Sequence, residues 1–478
     1  MDALRLGTRV RALRRKEGLT QKQLAERLGI SASYLNLIEH DNRPLPAALL
    51  LKLAQVLSVD LSSFSDTADD ERVVSELLEA FSDPLFDREG LTSHDVRDLA
   101  KASPSVAAAV LKLYRAYRST RGERPTEAES EDEPRSSAPV HLPTEEATDF
   151  IQAHKNYFPA LEDAAEALWR DGHLDRVELF RGLLRLLEQV HGVRVRIVEV
   201  SGMRGALRRY VPERRLLMLS EVLPSRSRDF QVAHQLALFG LSSVIDGLAK
   251  DPRLTSDESR RVARVALANY FAAAVVMPYP AFFDAARAVR YDVEILGHRF
   301  RAGYEQVCHR LTTLRRPGSE GVPFHFLRVD VAGNISKRFS ASGIQFPRFS
   351  GICPRWGVFS AFSTPGMLRA QLSKMPDGTT YFCVSRTLAK GGGGYHAPRS
   401  LSAIAIGCNV KDAKSLVYAD GVDLENLDPA VPVGVTCRTC PRMDCAERVL
   451  PPLTHPLEVD ENVRGSSFFA PVSDGLHR

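Results

Sequence analysis

Nowhere in its 478 residues does this chain approach the ~20 consecutive apolar residues that cross a bilayer. Its N-terminus has no apolar signal-peptide core, so a cytoplasmic protein with no membrane partner is expected. Charge of one sign is equally scarce. The net charge is only +4, which removes any general polycation argument for nucleic acid. Cysteine is sparse and odd in number, at seven, which fits a reducing compartment better than a full disulfide framework. No internal repeat is evident. What remains is ordinary for soluble globular protein, 44% hydrophobic and 26% charged, in a chain long enough for several domains with separate cores.

Where charge sits says more than its sum. Residues 1–64 carry ten Lys/Arg against six Asp/Glu, with six of the ten between Arg5 and Lys16, and they read as five short helices. Gln21-Lys22-Gln23-Leu24-Ala25-Glu26-Arg27-Leu28-Gly29-Ile30-Ser31, followed by Leu35, Ile38 and Glu39, has helix-turn-helix spacing. Leu24, Leu28, Leu35 and Ile38 fill a small core, and Ala25 lets two helices cross. Gly29 permits a left-handed turn, and Ser31 caps the next helix. That helix, about residues 32–39, enters the major groove by its N-terminus. Ala32, Ser33 and Asn36 then reach base edges, while Gln21 and Arg43 lie near phosphates. The segment resembles Xre/Cro-type phage-repressor domains, including the trailing Asn42-Arg43-Pro44.

Residues 66–118 read as a helical connector, with Val73, Leu77, Leu78, Phe81, Val106, Val110, Leu113 and Tyr114 marking buried faces. From 119 to 148 apolar residues nearly vanish and acids accumulate, as in Glu127-Ala128-Glu129-Ser130-Glu131-Asp132-Glu133. Such a stretch cannot bury enough surface to offset ordering entropy, so a disordered linker is expected. Residues 149–320 form a second domain, with helices over 150–169, 176–191, 229–241 and 256–276 and strands over 193–200 and 210–219. A third domain, 321–478, carries strands over 324–331, 380–387 and 401–407, with the flexible glycine run 391–394 between two of them. The fold class is therefore multidomain, α followed by two α+β domains.

Arg228-Asp229-Phe230-Gln231-Val232-Ala233-His234-Gln235-Leu236-Ala237-Leu238 resembles the zinc-binding helix of a zincin-like bacterial peptidase family, that of radiation-response regulator and phage anti-repressor proteases. Ala268-Asn269-Tyr270-Phe271-Ala272-Ala273-Ala274-Val275-Val276-Met277-Pro278 resembles its following helix. Active relatives carry H-E-x-x-H, two histidines one turn apart with a glutamate as general base. Here Gln235 and Leu238 replace the Glu and the second His, and Val265-Ala266-Leu267 offers no acidic third ligand. The domain is read as a degenerate scaffold around a structural His234. The chain is not expected to be an enzyme, and a zinc metallopeptidase stands only as a remote alternative.

Thr436-Cys437-Arg438-Thr439-Cys440-Pro441-Arg442-Met443-Asp444-Cys445 places three thiols at C-x2-C-x4-C. Cys353, in Gly351-Ile352-Cys353-Pro354-Arg355-Trp356, is the candidate fourth. Thiolates in tetrahedral array suit an iron-sulphur cluster or zinc, and unligated thiols stay open. Arg438, Arg442 and Arg448 are placed to favour thiolates and offset cluster charge. Cys308, Cys383 and Cys408 read as small buried hydrophobes.

The order helix-turn-helix, degenerate peptidase-like domain and cysteine-rich end, closing on Gly434-Val435-Thr436 and the three-cysteine run through Arg448, resembles the short-chain fatty acyl regulator family, which includes propionate-catabolism activators. The resemblance covers nearly the whole chain outside the linker. It implies a homodimeric transcription factor that binds operator DNA, senses a short-chain acyl-CoA, carries a [4Fe-4S] cluster (zinc as the alternative) and can contact RNA polymerase. An iron, oxygen or redox sensor without an acyl ligand is the alternative within regulation. A CoA ligand needs cations for its phosphates and a slot for adenine. Arg348, Arg355 and Trp356 near Cys353 offer charge and stacking, and Arg386 and Lys390 offer charge beside the glycine run.

Overall fold

The computed structural model describes residues 7–16, 19–39, 43, 45–57, 67–86, 91–122, 143–348, 351–391, 394–397, 399–453 and 467. The chain divides into two compact units, Met1–Ser75 and Glu76–Arg478.

The first unit holds α1 (Gly7–Lys16), α2 (Gln21–Leu28), α3 (Ala32–Glu39) and α4 (Ala47–Val56). Of the five helices expected in residues 1–64 these four are described; 58–66 lie outside the described residues. Thr20 starts α2 with a capping box, its side chain accepting from the Gln23 amide while the Gln23 side chain accepts from the Thr20 amide. Gly29 ends it at φ 69°. Leu24, Ala25, Leu28 and Leu35 close on Val10 and Leu53 to form the core.

Helix α5 (Thr67–Phe81) runs across the division in sequence, and α6 (Ser93–Ala102) and α7 (Pro104–Gly122) follow. The buried face of α7 is Ala107, Leu111 and Tyr114. Val106 and Leu113, expected on that face, are 49% and 72% exposed. Tyr114 is buried and Val110 half-buried, as expected, but the stripe that packs is completed by Ala107 and Leu111 in place of Val106 and Leu113. The expected linker, 119–148, is also different at its ends. Residues 119–122 continue α7, and α8 (Pro143–Ala153) begins before the linker was to stop, while 123–142 lie outside the described residues. Its acids meet partners from distant sequence: Glu145 pairs with Arg338, and Glu146 accepts from the Thr255 amide (2.8 Å) and hydroxyl (2.6 Å). Ala147 and Phe150 are buried.

The next helices are α9 (Pro159–Asp171) and α10 (Leu179–His191). A small sheet follows from β1 (Arg194–Val198), the short α11 (Val200–Met203), β2 (Arg208–Val211) and β3 (Leu216–Ser220). Its order is β1-β3-β2, with β1 parallel and β2 antiparallel to β3. The single strand expected over 210–219 is thus two, split by a tight turn at Pro212–Arg214, since proline cannot donate to a ladder. Then come α12 (Ser225–Gly240), α13 (Ser242–Leu248), α14 (Asp257–Val276), α15 (Tyr279–Ala288), α16 (Val293–Arg299) and α17 (Tyr304–Leu311). Ala233 and Ala237 of α12 share a core with Ala263, Ala268 and Ala272 of α14, small residues that let the two helices approach closely. Among the described residues no single helix is long and apolar enough to cross a membrane; α14 and α15 reach that composition only together, across a 66° bend.

The last part contains the two-residue strands β4 (Arg315–Arg316) and β5 (Ser319–Glu320), then β6 (His325–Asp330), β7 (Ile335–Ser340), the short α18 (Gly357–Ser360), β8 (Arg369–Lys374), β9 (Thr380–Lys390), β10 (Ser400–Asn409) and β11 (Val431–Pro432). Six of these strands form one sheet in the order β11-β8-β9-β10-β6-β7. Strand alternation gives it two buried faces. Ile404 and Ile406 of β10 join a core with Phe282, Leu296 and Leu311 from the preceding helices. Ala403 and Ala405 face a second core with Cys353, Trp356 and Val433. A boundary at 320/321 therefore falls within a shared core, and the sheet is the wall on which the cysteine loops rest.

One buried ion pair ties these helices together. Arg310 and Glu162, both at 0% exposure, meet through Nη1–Oε1 at 2.6 Å and Nη2–Oε2 at 2.9 Å. Tyr270 donates its hydroxyl to the same Glu162 Oε1 at 2.5 Å, and Arg310 Nε donates to the Met277 carbonyl at 3.0 Å.

Candidate functional sites

On α3 the exposed residues include Ala32, Ser33 and Asn36, all three expected at the groove. Ser31 accepts from the Tyr34 amide at 3.1 Å, an N-cap that leaves the first turn of α3 open toward a ligand. Gln21 is less a phosphate contact than a brace: its Nε2 donates to Asn36 Oδ1 at 3.1 Å and to Glu39 Oε2 at 2.8 Å. Arg43 is exposed, with its amide on the Leu37 carbonyl at 3.2 Å. The brace continues to Arg14, whose Nε and Nη2 bind Glu39 at 2.6 and 2.9 Å. Burial would raise the Glu39 carboxyl pKa, but bonds from Arg14 and Gln21 outweigh it and hold it below the usual range. Arg14 and Glu39 lie 25 residues apart, so no local pattern marks them as partners.

In the peptidase-like helix α12, His234 is 2% exposed. Its Nδ1 meets Asn269 Oδ1 of α14 at 2.8 Å, and its Nε2 is buried without a hydrogen-bond partner. Asn269 thus fixes the ring through Nδ1 and leaves Nε2 facing the interior. Arg208 on β2 acts on the same imidazole through its charge. Burial first, then that neighbouring guanidinium, push the His234 pKa down to about 4. A fixed cation beside a lone imidazole, with Gln235 and Leu238 as the companions on α12, does not suit a divalent metal. Neither Asn269 nor Arg208 stands out in the sequence, because each is recognisable only by what it touches.

The cysteine end is assembled from two loops on one face of the sheet. Cys353 precedes α18; Cys437, Cys440 and Cys445 follow β11. The loops are stitched by the Cys353 amide on the Val435 carbonyl (3.1 Å) and by Trp356 Nε1 on the Gly434 carbonyl (2.8 Å). Burial raises the Cys353 thiol pKa; the amides of Gly434 and Arg355, directed at its sulphur, oppose this, and the Cys437 and Cys440 thiols add to it. Cys437 and Cys440 are thus near enough to act on Cys353 through their charge. Among the described residues no three donors already sit at metal-binding distances. A metal would therefore have to draw the thiols inward, as binding coupled to local ordering does. Gly434 leaves room for this: a Cβ there would lie 2.9 Å from Cys440 Sγ. Cys445 shows only its carbonyl, accepting from the Arg448 amide at 3.2 Å.

The three arginines of this segment donate to backbone carbonyls, two of them those of Cys437 and Cys440. Arg448, 4% exposed, donates Nη1 to the Cys437 carbonyl (2.6 Å) and Nη2 to the Cys440 carbonyl (2.9 Å). Arg442 Nη2 donates to the Lys374 carbonyl at 2.9 Å, and Arg438 Nε to the Ser82 carbonyl at 2.9 Å. Cys308, Cys383 and Cys408 are buried in the cores, as expected of small hydrophobes. Cys383 lies 3.2 Å from His325 Nε2, with burial raising the thiol to about 12 and lowering the imidazole to about 3, a neutral pair.

Arg348 is committed to carboxylates: Nε lies 3.0 Å from Glu76 Oε1 and Nη1 3.0 Å from Asp149 Oδ2, while its amide donates to Glu79 at 2.7 Å. Trp356 is buried against Phe346, with ring centroids 5.5 Å apart. A buried guanidinium needs counterions, and the indole packs between two loops. Arg355 is half-buried, with its carbonyl accepting from Gln371 Nε2 at 3.1 Å. Arg386 pairs with Glu294 at 2.6 Å and lies over the Tyr304 ring at 5.4 Å. The Lys390 side chain, and residues 392–393 of the glycine run, lie outside the described residues.

Comparison with known families divides the chain in the same order. A helix-turn-helix family matches residues 10–64, the IrrE N-terminal-like domain residues 188–312, and the short-chain fatty acyl coenzyme A regulator C-terminal domain residues 313–469. The HTH-type transcriptional regulator RamB of Mycobacterium tuberculosis is 41% identical, over 97% of this chain and 98% of that one. The propionyl-CoA carboxylase regulator of Cereibacter sphaeroides is 41% identical, over 96% and 97%. The HTH-type transcriptional regulator PrpR of Mycobacterium tuberculosis is 38% identical, over 96% and 94%. A solved Mycobacterium tuberculosis transcriptional regulator superposes with a TM-score of 0.66 at 42% identity, covering 68% of this chain and 99% of that chain. The chain therefore belongs to the short-chain fatty acyl coenzyme A regulator family of helix-turn-helix transcriptional regulators.

Proposed function

We propose that this regulator responds to a short-chain acyl-CoA bound in its C-terminal half, holds a [4Fe-4S] cluster on Cys353, Cys437, Cys440 and Cys445, and grips its operator as a cytoplasmic homodimer able to contact RNA polymerase. The observation that supports the cluster is the stitching of the Cys353 loop to Gly434 and Val435, immediately before the Cys437–Cys440 run. Four thiolates are the common holder of such clusters, and of structural zinc. When bound, a cluster would supply an oxidisable cross-link between the loops. For the ligand, support comes from the C-terminal family's description and from the relative named for propionyl-CoA carboxylase. Arg348, Arg355, Arg386 and Lys390 are the candidate cations and Trp356 the candidate stacking residue; Arg348 would have to leave Glu76 and Asp149, and Trp356 would have to part from Phe346, to serve. The peptidase-like domain serves as scaffold, because Gln235 cannot take a water's proton and Leu238 cannot bind metal. A second reading, iron, oxygen or redox sensing with no acyl ligand, is favoured by the partial exposure of Cys437 and Cys445.

The test is anaerobic purification of the full chain, with a visible spectrum and assays of iron, sulphide and zinc, followed by calorimetry with two-to-five-carbon acyl-CoAs. Brown protein with roughly four irons per chain supports the cluster; colourless protein containing zinc replaces it. Acyl-CoA binding that shifts operator affinity by about 5–150-fold, the ordinary allosteric range, supports the ligand. No binding by any of these acyl-CoAs leaves the redox reading.

A further inference from the structure

Two arginines beside the cysteines reach back to the end of α5, the segment through which the second unit joins the DNA-reading helices in sequence. Arg438, next to Cys437 and 9% exposed, donates Nε to the Ser82 carbonyl at 2.9 Å. Arg348, five residues before Cys353, ion-pairs with Glu76 at 3.0 Å and donates its amide to Glu79. Glu76, Glu79, Ser82 and Asp83 are all buried. The two cysteine-bearing loops therefore each hold the same eight residues of chain, and Arg448 fixes the carbonyls of Cys437 and Cys440 at the other side of the contact. From α7, Arg115 meets Glu76 at 2.7 Å and Tyr114 meets Asp83 at 3.1 Å, so this segment has an independent anchor.

We propose that the cysteine loops and residues 76–86 move as one element, with Arg438 passing any rearrangement of Cys437 and Cys440 to the chain that leads into the DNA-reading unit, and Arg348 anchoring that chain to the Cys353 loop. The physical reason is geometric. Arg438 is covalently adjacent to a ligand position, its guanidinium is buried, and a buried charged donor that loses its acceptor must either find another or drag its partner along. Drawing Cys437 toward a metal displaces the Arg438 backbone and so pulls on Ser82. This deepens the metal-site reading, but the linkage is carried by this chain's own residues whichever metal is held.

The test is amide exchange followed by mass spectrometry on the full chain. The reporters are the amides of Ser82, Asp83 and Phe86, which bond to the carbonyls of Glu79, Ala80 and Asp83. Gly434→Ala disturbs the cysteine loop without touching α5, since its Cβ would meet Cys440 Sγ at 2.9 Å. It should speed exchange at residues 434–448 and, by about tenfold, at 82–86. In an Arg438→Gln background the second effect should vanish while the first persists. Stripping metal from wild-type protein with a chelator should reproduce the Gly434→Ala pattern, with faster exchange at both 434–448 and 82–86. Metal content is measured separately, so absence of metal removes the cluster reading and leaves the Gly434→Ala arm decisive. Exchange that changes at 434–448 but not at 82–86, or a change at 82–86 that survives Arg438→Gln, overturns the proposal.

Discussion

Glu162→Gln is the substitution with the most to say about the second unit. Glutamine preserves volume but leaves Arg310, fully buried, facing a neutral amide. Three bonds to the carboxylate are affected, two from Arg310 and one from Tyr270. Breaking one side of a buried pair costs about 3–5 kcal/mol, a large share of the roughly 5–15 kcal/mol that holds a domain folded. The two tryptophans, Trp169 and Trp356, both lie in the second unit, so fluorescence during urea unfolding reports on that unit alone. The fluorescence transition should move by the stated amount, while the helical transition of the first unit, with its own core, stays in place. Replacing both partners by Glu162→Leu and Arg310→Met should cost less than the sum of the single changes, because no stranded charge remains. A loss below about 1 kcal/mol in Glu162→Gln would mean the pair is solvated, and this account of the helix junction would be wrong.

Acid should also weaken the second unit. His234 and His325 have folded pKa values of about 4 and about 3, below the ordinary value near 6.5, so below ~pH 6 the unfolded chain takes up protons that the folded chain refuses. Stability from these two groups is intact above ~pH 6.5 and falls by up to about 3 kcal/mol per pH unit as acid approaches pH 4; flat stability between pH 6 and 4.5 would refute it. Asn36→Ala should relax base preference at one position per half-site, by about 1–3 kcal/mol, whereas Arg43→Ala should weaken all duplexes alike and flatten the salt dependence. Binding titrations at two salt concentrations separate the two. Serine at Cys437, Cys440 or Cys445 should strip metal and destabilise the C-terminal loops; full metal content in Cys353→Ser would move the fourth ligand elsewhere. His234→Ala should change neither zinc content nor any proteolysis, and a lost peptidase activity would count against the inert scaffold.

Much of the helix-turn-helix was legible because its information is local. Leu24, Leu28 and Leu35 repeat at helical spacing, Gly29 ends one helix, and Ser31 begins the next. The cysteine run was equally plain, since three thiols within nine residues need no fold to be seen together. Strands β6, β9 and β10 announced themselves by apolar content, whereas β7 and β8, at the outer parts of the sheet and largely polar, did not. Periodicity named α7 as a helix and Tyr114 as buried but put Val106 and Leu113 where Ala107 and Leu111 pack, because only the neighbour decides which stripe packs.

The tertiary structure alone decided which charges are free. Arg348 reads as a phosphate ligand in the sequence, and Glu76 and Asp149 arrive at it from other elements. Glu145 and Glu146 looked like linker until Arg338 and Thr255 met them. Asn269 and Arg208 acquired meaning only beside His234. A sequence fixes a side chain's chemistry and its local geometry; the cost of burying a charge is settled by a partner that may lie hundreds of residues away, and so it is written only in the fold.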